Sequence, residues 1–296
     1  MTIELLDSAN VIDTSQPCIR KTIATPATEV LGRIGNLETR LARSAAEVDA
    51  AQAVRYKVFV EEMKAQAGPD AERRKRDVDS WDSICDHLLV LDTSIEGDTE
   101  DQIVGTYRLL RQDVAERAGG FYSASEFAIA QLLQRHPDKR FMELGRSCVL
   151  PEYRTKRTVE LLWQGNWAYA LKHGVDAMFG CGSFPGVVPE EHALALSFLH
   201  HNVLAQGEWK VSARPELHRT MDLMPSEAIN PKKALAALPP LIKGYMRLGA
   251  MVGDGAVVDH AFRTTDVLIV LPISNISGRY LNYYGADAGR FASTVS

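Results

Sequence analysis

The run "FMELGRSCVLPEYRTKR", residues 141 to 157, sets Glu143 and Arg146 in a strand-like pattern, then Arg154, Lys156 and Arg157 at the opening turn of a helical one. A helix N-terminus already presents unpaired N–H groups and the positive end of the macrodipole. Three cations added there either are neutralised by Glu152 and Glu160 in a solvated turn or hold an anion. The sharper reading is a bound phosphate. Glu143 and Arg146, three residues apart, face opposite sides of a regular strand, and Gly145 between them is where a bulge would turn both to one face. Partial burial would raise the Glu143 pKa towards the range of a general base. A structural ion pair with Arg146 is the plainer alternative.

Upstream, Asp79 and Asp82, with Asp77 and Asp86 nearby, form an acidic patch that either binds a cationic substrate or is a solvated loop balanced by "ERRKR". Arg55 and Arg108 are suited to a substrate carboxylate or to holding those aspartates, because guanidinium pairs bidentately with carboxylate. His192, His200 and His201 lack an HExxH pattern or a cysteine partner at ligand spacing, so no metal site is expected.

The elements that must place these residues follow from periodicity. "LETRLAR" alternates as a half-buried strand, and "SAAE" at 44 to 47 is a capping box opening a helix with Val48, Ala51, Val54, Val58 and Phe59 on one stripe. A long charged connection precedes strands in "HLLVLD", "QIVGTYRLL" and "RFMELGRSCVL", with a short helix over 123–135. Residues 155–173 carry Val159, Leu162, Trp163, Asn166, Trp167, Ala170 and Leu171 on one helical face, with Gly174 at the C-terminal cap position. "DAMFGCG" reads as a strand, "PEEHALALSFLHHNVLA" and "PPLIKGYMRLGAMV" as helical, and "DVLIVLP" as a late buried strand. This order predicts an α/β fold, a mixed central sheet flanked by helices on both faces.

At 296 residues and 46% apolar composition the chain can bury one large core. The division expected is a flexible lead-in over 1–33, a single domain over 34–285 and a flexible tail over 286–296. A net charge of −5 argues against a nucleic-acid partner. Cys18, Cys85, Cys148 and Cys181 form no CxxC pair, and the first residues lack a basic start with an apolar core, so a reduced, cytoplasmic protein is expected. No run reaches the ~20 apolar residues of a membrane span. The mix of cations with Leu, Ile and Met in "NPKKALAALPPLIKGYMRLGA" fits either transient contact with the inner membrane surface or a packed surface helix.

"RYKVF" at 55, the Asp79 and Asp82 pair, "VGTYRLL" at 104 and "MELGR" at 142 resemble, in order, landmarks of the acyl-homoserine-lactone synthases. Over roughly 35–285 the chain is more similar to the ornithine-lipid N-acyltransferases, through "MELGRSCVLPEYR", "GCGSFPG", "ALSFLHH", "LPPLIKGYMRLGA" and "DHAFRTTDVLIVLP". That resemblance implies a GNAT acyltransferase fold. It implies transfer of a 3-hydroxyacyl group from acyl carrier protein to the α-amine of L-ornithine, giving lyso-ornithine lipid, the first step of ornithine lipid biosynthesis. The donor would be the acyl-phosphopantetheine of the carrier, with no permanently bound cofactor. "RTKRTV" lacks the glycines of the usual GNAT phosphate loop, which suits one phosphate gripped by side chains better than a CoA pyrophosphate.

On this reading Glu143 and Arg146 are catalytic, and Arg55, Asp79, Asp82 and Arg108 bind substrate. Ser147, Val149, Arg154, Lys156 and Arg157 hold phosphopantetheine. Phe59, Trp81, Phe179 and Phe184 wall an acyl tunnel unless they are ordinary core, as Trp163 and Trp167 are. Lys243, Tyr245, Arg247, Asp259 and Asp266 complete the amino-acid pocket. The alternatives are an acyl-homoserine-lactone synthase using S-adenosylmethionine and a non-catalytic acyl-carrier or lipid-binding module.

Overall fold

The computed structural model describes residues 29–276. The expected tail over 286–296, the lead-in up to residue 28 and Cys18 lie outside them. Strands β1 (Val30–Ile34) and β2 (Leu37–Leu41) precede helix α1 (Ala45–Arg55), which continues as a wider π-type turn over Tyr56–Glu62. Helix α2 (Pro69–Arg74), strands β3 (Asp86–Asp92) and β4 (Ile103–Arg111), and helices α3 (Gln112–Arg117) and α4 (Ile129–Arg135) follow. Next come β5 (Phe141–Val149), α5 (Lys156–Lys172), β6 (Ala177–Pro185) and α6 (Ala193–Val203). The described chain closes with α7 (Pro231–Ala237), α8 (Pro240–Arg247), β7 (Met251–Asp259) and β8 (Thr264–Pro272).

The eight strands form one sheet in the order β1-β2-β3-β4-β5-β6-β8-β7. Only β5 and β6 pair in parallel; every other neighbouring pair is antiparallel. Central strands are buried on both sides, which is why β3 reads as a continuous apolar run and not as an alternation. Leu88 and Val90 face the α5 side with Leu161 and Leu162, whereas Leu89 and Leu91 face α1 with Ala51 and Val54. Helices therefore cover both faces, as the element order predicts.

Several local expectations need correction. The lead-in does not extend to residue 33: Val30–Ile34 pairs with β2 through a two-residue turn whose Gly35 has φ +61°. A Gly-Asn pair between apolar runs is a hairpin signal. The capping box is half formed. Ser44 accepts from the Glu47 N–H, but the Glu47 carboxylate turns to Arg40 and the Arg43 N–H. Residues 123–135 split into a single turn at Tyr122–Ser125 and α4, α3 falls where no helix was expected, and "GAMV" begins β7 instead of extending α8. On α5, Val159 and Leu171 are exposed, and Leu161 and Tyr169 take their places in the core.

Candidate active site

Strands β5 and β6 are in register only over Phe141–Glu143 with Ala177–Phe179, and then they part. Gly180 sits at the fork, where an added Cβ would lie 2.2 Å from the Leu144 carbonyl oxygen. Only a glycine lets the two backbones come that close before separating. On the other edge of β5, Arg108 faces Gly145 while Thr106 faces Cys148, so three residue steps on β5 oppose two on β4. This is a β-bulge. The residue that takes the left-handed conformation is Arg146, with φ +51°, and not Gly145.

A cavity of about 640 Å³ occupies the fork, walled by Leu144 to Val149 of β5 and by Gly180, Cys181 and Ser183 of β6. Strand alternation shows that it passes through the sheet. Trp163 and Tyr245, from α5 and α8, lie on one side with Leu144, and Tyr122, Glu126 and Asp266 lie on the other with Glu143.

Glu143 is buried, 4% exposed, on the cavity wall. Its carboxylate accepts the Tyr122 and Ser123 N–H groups at 2.8 Å each and the Ser123 hydroxyl. Burial raises its pKa, against the pull of those donors. The plainer expectation of an ion pair with Arg146 fails, because the bulge carries that guanidinium to Asp79 at 3.0 Å and Asp77 at 3.3 Å. It also lies over the Phe262 and Tyr122 rings.

The acidic patch is not open to a ligand. Arg55, with no exposed surface, spends its donors on Asp82, on the Asp77 carboxylate and on the Asp77 carbonyl. Asp82 also accepts from Gln52 and Arg108, and Asp79 accepts from Arg108 at 2.6 Å. Burial alone would raise the Asp82 pKa, but Arg55 and Arg108 hold it at about 2. Direct substrate contact by Arg55, Asp79 and Asp82 is therefore corrected: they form an ionic frame outside the cavity wall, and only its Arg108 and Arg146 reach the cavity. Arg108 gives only Nη1 to the aspartates.

Of the cations around the start of α5, Arg154 is clamped bidentately by Glu62 at 2.6 Å, and Lys156 pairs with Glu160 at 3.4 Å. Both line the cavity mouth, as do Ser147 and Val149. Arg157 is exposed and off the wall. Phe59 and Trp81 line the cavity, but Phe179 and Phe184 are fully packed core away from it. On β6, Phe179 precedes the fork, and Phe184 faces His192. Trp163 is buried core, as expected, and also lines the cavity, edge-on to Tyr245 at 4.8 Å. Lys243 and Arg247 do not line the cavity, whereas Tyr245, Asp259 and Asp266 do. The apolar residues Ile242 and Tyr245 of α8 point inward, which favours a packed helix over a membrane-facing one. Among the described residues no helix is long and apolar enough to cross a membrane.

Glu126 is the residue sequence reasoning missed. It stands in "FYSASEFAIAQ", which carries no motif and reads as helix. Its carboxylate, that of Asp266 and the Cys181 sulfur all lie within 4.8 Å of one another, and the thiol donates to Glu126 at 3.5 Å. Burial, reinforced by the charges of Asp266 and Asp259, pushes Glu126 up to about 7, and burial pushes Asp266 to about 6.

Residues 54–164 match the model of the acetyltransferase (GNAT) domain. The L-ornithine N(alpha)-acyltransferase of Rhizobium meliloti (strain 1021) is 86% identical over 100% of both chains. That of Agrobacterium fabrum (strain C58 / ATCC 33970) is 75% identical over 88% of this chain and 89% of its own. Among solved structures, an N-acyl amino acid synthase from uncultured soil microbes superposes with a TM-score of 0.45 and 13% identity, covering 80% of this chain and 91% of that one. With identity this high along its whole length, the chain belongs to the L-ornithine N(alpha)-acyltransferase family and is an N-acyltransferase of the GNAT fold.

Proposed function

We propose that the protein transfers a 3-hydroxyacyl group from the phosphopantetheine arm of acyl carrier protein to the α-amine of L-ornithine, making lyso-ornithine lipid. The observation that carries this reading is the cavity through the sheet, with cations at one mouth and carboxylates on the far side. The arm enters past Ser147 and Val149 with its phosphate at Arg154 and Lys156, while Arg157, off the wall, is left out of the phosphate site. Tyr245 and Trp163 flank the acyl chain.

An α-ammonium group has a reference pKa near ~8 and attacks only after losing a proton. Glu143 takes that proton, directly or through one water. The neutral nitrogen adds to the thioester carbonyl, and backbone N–H groups freed at the bulge stabilise the oxyanion. The C–S bond then breaks as the amide forms, and the thiolate leaves with a proton from the nitrogen. Arg108, with the outer part of its guanidinium free, and Arg146 hold the amino-acid carboxylate. Asp79 and Asp82 position those arginines.

Purified protein incubated with L-ornithine and either 3-hydroxyacyl carrier protein or the matching acyl-CoA, followed by mass spectrometry, tests this. The expected products are Nα-acylornithine and holo-carrier protein, with a higher kcat/KM for the carrier thioester. Preference for the CoA thioester, or acylation at the δ-amine, would refute it.

A further inference from the structure

We propose that Glu126 and Asp266 bind the side-chain ammonium of the acceptor and thereby select a diamino acid over a neutral one, an inference that rests on the acyl-transfer reading above. The other carboxylates of the ionic frame and the base are already satisfied: Asp77, Asp79 and Asp82 by arginines, Glu143 by three donors. Glu126, whose donor is the Cys181 thiol, and Asp266, faced by the Ser183 and Thr264 hydroxyls, are the exception in having no cation on them. Both line the cavity, their carboxylates approach within 4.8 Å, and among the described residues neither is ion-paired with a lysine or arginine.

A second observation points to a ligand. Asp266 is 6% exposed and Thr264 2%; the Ser183 and Thr264 hydroxyls lie beside the Asp266 carboxyl and lower its pKa, yet Asp266 Oδ1 and Thr264 Oγ1 are both buried without a well-formed hydrogen bond. Unmet polar atoms in such a place are costly and call for an occupant. An alkylammonium offers three donors and no acceptor, which suits oxygens from Glu126, Asp266 and Thr264. It also supplies the missing positive charge. Unliganded, Glu126 and Asp266 are pushed towards their neutral forms by burial and by the negative charges facing them, Asp259 for both and Glu143 for Glu126, with Arg146 opposing at Asp266.

Placement agrees with the reaction. The Cys181 thiol lies between the two ends, 3.7 Å from the Ser123 hydroxyl that donates to Glu143 and 3.5 Å from Glu126. The ammonium pocket thus stands about one short side chain away from the base, so an acceptor anchored there presents its α-nitrogen to Glu143. This predicts that the length of the diamino acid matters as well as its charge.

Calorimetric binding of L-ornithine and of L-norvaline, which lacks only the distal amine, reads the pocket without any acyl donor. Wild-type protein should favour ornithine, and Glu126→Gln and Asp266→Asn, each checked for folding by circular dichroism, should weaken ornithine binding by about 10- to 100-fold while leaving norvaline unchanged. In turnover the same loss should fall on KM more than on kcat. Equal affinity of wild type for the two amino acids would overturn the pocket even where acylation is intact. So would a metal site: activity lost to EDTA and restored by zinc, with the amino-acid preference unmoved by Glu126→Gln. A preference erased by the substitutions supports the pocket whichever thioester serves as donor, so the two readings fail separately.

Discussion

Two carboxylates in this protein are driven in opposite directions, and stability should record both. Asp82 is held at about 2, against an unfolded value of 3.8, by arginines that outweigh its burial. Its contribution is complete above pH 4 and disappears as pH falls through 2. Glu126 is raised to about 7 from 4.5, so the native state prefers its protonated form; stability from this group is greatest below pH 4.5 and is lost as pH rises through 7. Urea unfolding across pH should show Asp82→Asn destabilised by about 3–5 kcal/mol at neutral pH, since it leaves buried arginines unpaired. Glu126→Gln should instead be more stable than wild type at pH 8. Loss of stability in Glu126→Gln at that pH would show that the carboxylate is structural. At this scale the sequence misleads where charges cancel across space: nothing in it shows that Arg55 meets Asp82, 27 positions away, so a satisfied frame resembles an open acidic patch.

At the scale of elements, the bulge of β5 was legible and its cause was not. Gly145 marks the place, but the unusual backbone belongs to Arg146, held by its aspartates and two aromatic rings. An added Cβ at Gly145 meets nothing nearer than Arg108 Nε at 3.9 Å, whereas at Gly180 it collides with the Leu144 carbonyl. Gly145→Ala should therefore change the denaturation midpoint little, and Gly180→Ala should cost about 1–3 kcal/mol or more and depress turnover by forcing the fork wider. Equal effects would mean that the fork is not set by that close approach. Long periodic elements such as α5 and β8 could be read directly. Strand β7 could not, because Gly253 and Gly255 interrupt its alternation and its pairing with β8 slips there.

For the whole molecule, the fold class followed from the order of elements, and the family from motifs spread along the chain. The cavity could not be read that way, because its walls come from β4, β5, β6, α5, α8, the end of β7 and the start of β8, and their meeting depends on how the sheet splits. Phe179 and Phe184 illustrate the limit: residue type suited a tunnel, but one precedes the split and the other packs against His192.

Because residues on both faces of the sheet line the cavity, there is room for thioester and amino acid to lie on opposite sides of it at once. The thiols bordering it, Cys85, Cys148 and Cys181, are pushed up by burial and make poor nucleophiles, so no acylated enzyme should accumulate. Initial velocities measured with both substrates varied should give intersecting double-reciprocal lines, the mark of a ternary complex. Parallel lines would mean that the acyl group is parked on the protein before the amine arrives.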